Sequence, residues 1–295
     1  MSSTQNAEIF DRGYRAYDGP RTGVNTGMKA VGVATVQRAL GMRRKFRFKI
    51  VPMLTTLIAY VPALAFMGIA ILLPSELAGE VVPEYSGYYG LISITMILLT
   101  AFVVPEVMGS DRRTGLFGLY MASPLTRWHY LAAKFLAILG VLSLVTFLPS
   151  VFQLVGYSFL ELGPDGFVEI LETLGKIFLS GLILSVFFAL LGMAAATLTN
   201  RHVFASAGIV LLIVATGVFT GIIGETTEAP EWIGLFSLLD IPLELILRLW
   251  GEPFPDFEAP IEGVSNLASF GVWAGACAIF AAIVIAGYHR LEVTK

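Results

Sequence analysis

Six charged side chains fall within residues 106–134: Glu106, Asp111, Arg112, Arg113, Arg127 and Lys134. Long apolar runs flank them on both sides. Carboxylates set among guanidinium and ammonium groups make ion pairs and charge-assisted hydrogen bonds, which is the chemistry of holding and recognition. Between the charges, Leu116, Leu119 and Tyr120 recur at helical spacing. They form a compact apolar face of the kind that a helix lays into a groove. Ser110 or Asp111 can cap a helix that starts at Arg112, Pro124 ends it, and Thr126 or Arg127 restarts the chain. A bare connection needs only a few polar residues. The stretch Glu106–Arg127 therefore reads as a docking surface for a soluble partner, the plainer alternative being a linker helix lying on a membrane surface.

Groups for bond-breaking chemistry are not evident elsewhere. No G-x-x-x-x-G-K-[ST] occurs, so ATP is not bound here by a P-loop. His129, His202 and His289 fall at three separate boundaries of apolar runs, without the paired spacing of a metal site. No G-x-S-x-G surrounds a serine. The chain is expected not to be an enzyme, and to have no catalytic residue, metal ligand or cofactor site of its own. Cys277 is the sole cysteine, so an intrachain disulfide is excluded.

The elements that position the charged stretch are set by composition. The chain is 56% hydrophobic and 14% charged, with a mean hydropathy of +0.77. Six runs lack Asp, Glu, Lys and Arg: Ile50–Leu73, Tyr85–Pro105, Phe135–Leu160, Ile177–Asn200, His202–Gly224 and Gly263–Tyr288. The shortest has 21 residues, enough at about 1.5 Å per residue to cross a hydrocarbon core of roughly 30 Å. The predicted fold is an all-α integral membrane protein with six transmembrane helices. The span interiors hold hydroxyls and amides such as Thr55, Ser93, Thr146, Gln153 and Ser206, but no ionisable group for ion coupling. An energy source outside the chain is implied if it transports. Apolar span faces favour lipids, amphipathic drugs or peptides over small ions as cargo.

Charge bias orients the bundle. Residues 1–49 contain ten Lys or Arg against three acids and no apolar core, so the N-terminus is expected in the cytoplasm. Six spans then bring the C-terminus and the stretch 106–134 to the same side, and only Lys176 and Arg248 among the 19 basic residues fall outside. The net charge of −3 averages a basic inner face and an acidic outer one and gives no sign of nucleic acid as a partner. The expected organisation is a cytoplasmic tail at 1–27, an amphipathic interface helix at 28–49, and a six-span domain at 50–290 with a cytoplasmic helix at about 111–123. The basic run before the first span fits either binding to anionic headgroups or simple positive-inside flanking. Trp232–Trp250 is apolar enough to imitate a seventh span, but Asp240, Glu244 and Arg248 share one face. It reads as an amphipathic or re-entrant external element. Gly271 and Gly275 form a G-x-x-x-G that could pack within the chain or between chains.

The charged stretch also resembles a known family. Thr114-Gly-Leu116, then Pro124-Leu-Thr-Arg127 and Lys134, preceded by Glu106, looks like the coupling-helix region of type-2 ABC exporter permeases. Six spans, cytoplasmic termini and an external element before the last span agree with that family, while Arg112-Arg113 stands where a second acid is usual. The resemblance implies a permease in the cell (plasma or inner) membrane, working as a homo- or heterodimer. Each unit would bind a separate ABC ATPase that carries the ATP and Mg²⁺. Asp111–Ser123 would seat in a groove of that ATPase. Leu116, Leu119 and Tyr120 would pack there, with Glu106, Arg112, Arg113, Thr114, Gly115, Pro124 and Arg127 around them. The competing reading is a non-transporting membrane scaffold that recruits a soluble partner through the same helix. A secondary carrier is disfavoured by the uncharged span interiors.

Overall fold

Long charge-free runs have one way to satisfy their backbone in an apolar medium, which is to pair every N–H and C=O within the segment. The computed structural model describes residues 19, 23–42, 46–73, 85–226, 230–251, 261 and 263–290, and every regular element among them is helical. In chain order these are α1 (Val24–Ala39), α2 (Arg47–Leu72), α3 (Tyr85–Arg113), α4 (Leu116–Met121), α5 (Arg127–Phe159), α6 (Gly166–Leu198) and α7 (His202–Thr226). A 3₁₀ turn (Glu231–Phe236), α8 (Asp240–Trp250) and α9 (Asn266–Arg290) follow. Six of them, α2, α3, α5, α6, α7 and α9, are long and apolar enough to cross a membrane.

Several helices outrun the charge-free stretches that predict them. α3 passes through Pro105, where the sequence suggests that the span ends, and continues to Arg113. A proline cannot donate to the carbonyl four residues back. Here that carbonyl, on Ala101, accepts instead from the Ser206 hydroxyl of α7 at 2.5 Å. The gap in the ladder becomes a contact between spans. Many other span hydroxyls bond within their own helix, as Thr55 does to Val51 and Ser150 to Thr146.

The centre of the bundle is α3 and α6, whose apolar windows are 67% and 72% buried, against 11% for α7 and α9. They approach closely at Gly192, where a Cβ would lie 2.8 Å from Thr100 Cγ2 and 3.0 Å from Val104 Cβ. Ala196, one turn on, is also buried. Gly192→Val is expected to cost about 1–3 kcal/mol by overpacking, read as a lower unfolding midpoint of the detergent-purified protein. Gly271 and Gly275 behave differently. No atom lies within 4 Å of a Cβ built at either, so this G-x-x-x-G is not a packing seam among the described residues.

The segment Trp232–Trp250 is broken at Ser237–Leu239 and is not one of the six long helices. Glu244 pairs with Arg248 at 2.6 Å. Arg248 also donates to Asn266 Oδ1 (3.0 Å) and to the Ile261 carbonyl (2.9 Å). Trp250 donates to Ser180 Oγ at 3.0 Å and stacks on Tyr85. Burial raises the Asp240 carboxyl above its usual range, the Ser237 hydrogen bond opposing this and the charge of Glu244 adding to it.

At the N-terminal end, the helix expected at 28–49 starts earlier and is interrupted. α1 ends at Ala39, Gly41 follows at φ +66°, and Arg47 already belongs to α2. Only glycine takes that left-handed turn at little cost. Val31, Thr35 and Ala39 form the buried stripe of α1, which packs along α5 and touches α3. Of the expected tail, residues 1–18 and 20–22 lie outside the described residues.

Candidate docking site between the second and third spans

The charges anticipated at this end of the bundle are mostly turned inward. Asp111 is 1% exposed, and its carboxylate accepts from three donors on two other helices. Arg38 of α1 donates to Oδ1, while Lys134 Nζ (2.7 Å) and Tyr130 OH (2.9 Å) of α5 donate to Oδ2. Lys134 is equally buried and donates also to the Val107 carbonyl at 3.1 Å. Asp111 and Ser110 are therefore not the cap of a new helix. They close α3, and Arg112 and Arg113 belong to its last turn rather than to the helix that follows.

The stop comes at Thr114-Gly115. The Thr114 N–H reaches the Ser110 carbonyl at 2.9 Å, and Gly115 adopts φ +71°, the left-handed ending that favours glycine. α4 then runs for six residues and ends before Pro124. Thr126 starts α5 through a capping box, accepting from the His129 N–H while its own N–H meets His129 Nδ1.

Three of the arginines set around the expected ATPase contact, Arg112, Arg113 and Arg127, each engage this chain. Arg112 lies 4.5 Å from the Tyr288 ring centre and donates to the Thr197 carbonyl in the last turn of α6 at 3.4 Å. Arg113 pairs with Glu106 at 2.8 Å, two helical turns back, and sits 3.2 Å from His202 Nδ1 at the start of α7. Arg127 donates to the His289 carbonyl in the last turn of α9 at 2.8 Å. Cations at the last carbonyls of α6 and α9 complement the negative ends of those helix dipoles. The segment around α4 is thus tied to α1 and to the ends of α5, α6, α7 and α9.

The apolar side chains divide as well. Phe117, which the spacing argument leaves out, is the buried one. It meets Tyr130 and Tyr288 edge-on, with ring centres 5.3 and 5.7 Å away. Tyr120 is half-buried beside Tyr130, and burial, together with the charge of Asp111, raises its hydroxyl above the ordinary value. Leu116 is half-buried too, while Leu119 is 67% exposed. Gly115, Ala122, Ser123 and Pro124 are exposed around it.

A family model described as ABC-2 family transporter protein matches residues 80–287. The chain belongs to the ABC-2 transporter family. No curated protein matches it. This ABC-2 protein is a multi-pass membrane permease component of an ABC transporter, a transport component rather than a catalytic one. Permeases of this family generally work with a separate ATPase subunit. The matched region of the permease contains Asp111, Tyr130 and Lys134 but not Arg38, so one donor to the central carboxylate comes from outside it. Nothing in the sequence announces that donor. The Glu106–Arg113 pair had a signal, since residues seven apart share a face once the helix is known to continue.

Proposed function

We propose that this permease couples ATP hydrolysis in a separate nucleotide-binding subunit to the export of substrate. It works as a dimer in the plasma or inner membrane with both termini in the cytoplasm, and the ATPase carries the ATP and Mg²⁺. The region Asp111–Ser123 is the contact, with Leu119 as its leading side chain and Leu116 and Tyr120 at its flanks.

The observation that carries this reading is the combination of an exposed Leu119 with inward ties to α1, α5, α6, α7 and α9. A push on α4 is delivered to several spans at once rather than absorbed by a slack loop. For ATP binding to move the bundle, the ATPase states must hold α4 with different affinity, because a ligand shifts an equilibrium only by its differential binding. Leu119→Asp is expected to weaken ATPase association by about thirtyfold or more, as for a central interface anchor. The exposed position should leave the unfolding temperature unchanged. Intact association of that variant with the ATPase sinks the assignment.

A further inference from the structure

We propose that the ATPase groove receiving α4 has a carboxylate-lined rim and an apolar floor that takes Leu119. This rests on the reading that an ATPase seats here, and adds the chemistry of its surface.

α4 emerges between two basic corners. The Arg113–His202 contact at 3.2 Å brings the α6–α7 turn, with Arg201, beside the end of α3. The Arg127–His289 hydrogen bond at 2.8 Å brings the end of α9, with Arg290, beside the start of α5. Arg201 and Arg290 are both exposed, and neither meets a carboxylate among the described residues. Arg201 instead lies 5.9 Å from the Phe204 ring centre. The acids described at this end are Glu106 and Asp111, and cations of this chain already hold both. A partner approaching Leu119 thus meets cationic groups on two sides, and among the described residues no uncommitted acid lies between them. Carboxylates on its rim complement that field, whereas basic groups are repelled, and such rim charges act on association rate and salt dependence.

An anionic bilayer surface is the other claimant on these arginines. Interfacial insertion grows with buried apolar area, and the outward side of α4 offers one large apolar side chain, because Phe117 is spent inside. A protein slot suits the one large exposed apolar side chain of α4 better than a headgroup layer does.

The test uses the full-length permease in nanodiscs of zwitterionic phosphatidylcholine. The probe is the P-loop ATPase that co-purifies with it, purified separately and titrated back at 50 and 300 mM NaCl, conditions about twofold apart in Debye length. Wild-type affinity is expected to fall with salt. Arg201→Glu and Arg290→Glu should each weaken binding at least about tenfold at low salt. Arg201→Gln and Arg290→Gln should do so less, and Lys176→Glu, at the other end of α6, not at all. Monodisperse elution of each variant establishes that it is folded. Binding indifferent to salt and to both reversals overturns the acidic rim while leaving the ATPase assignment standing. Unchanged ATPase binding with weaker association to vesicles containing phosphatidylglycerol overturns it in favour of lipid. If no P-loop ATPase co-purifies with the wild type, both readings fall together.

Discussion

Asp111→Asn is expected to destabilise the permease by about 3–5 kcal/mol, the cost of breaking a buried ion pair by removing one partner. The substitution keeps the shape of the side chain, so packing is preserved and the effect is electrostatic. Lys134, 1% exposed, loses the carboxylate 2.7 Å away and keeps the Val107 carbonyl. Arg38, 19% exposed, can turn toward water. The damage therefore centres on Lys134. That asymmetry gives a rescue. Asp111→Asn combined with Lys134→Met removes both buried charges and should regain most of the lost stability, as replacing buried pairs with apolar groups often does. Thermal unfolding of the purified single and double variants reads both effects. A double variant as unstable as the single one would show that Asp111 contributes something other than its pairing with Lys134.

The same cluster explains what the sequence made legible and what it hid. Charges are costly in hydrocarbon, so six charge-free runs announce six spans. The ends of the helices were much less legible. Pro105-Glu106 looks like a stop, yet α3 continues because Ser206 supplies the missing bond to Ala101 and because Asp111 finds its donors in other helices. Those donors are tertiary. Arg38 is 73 residues away from Asp111, and no local pattern links them. The direction of α4 was hidden for a related reason. Six residues make too few turns for periodicity to say which side faces inward. Leu116, Leu119 and Tyr120 are as plausible an inner face as any, until Tyr130 and Tyr288 are seen to gather around Phe117. Gly271 and Gly275 show the reverse, a familiar spacing with no partner helix among the described residues.

Phe117→Ala should have the second large effect, and it should be local. Truncating a buried phenylalanine costs about 3–5 kcal/mol, here through loss of the edge-on contacts to Tyr130 and Tyr288. A helix of six residues has no stability of its own, since isolated helices shorter than about 12–15 residues are marginal in water. With Phe117 gone, α4 is expected to detach while the six long helices stay formed. Hydrogen exchange should then show the amides of 120–123, the ones bonded to carbonyls of this turn, losing protection, with those of α3 and α6 near their centre unchanged. ATPase association should fall even though Leu119 is untouched, because the leucine is no longer held in a fixed direction. Tyr288→Phe is the matched control. It removes the buried hydroxyl and keeps the ring against Phe117, so α4 should remain protected. Wild-type protection of 120–123 in the Phe117→Ala variant would mean that the polar ties at Asp111, Arg112, Arg113 and Arg127 hold α4 without the aromatic contact.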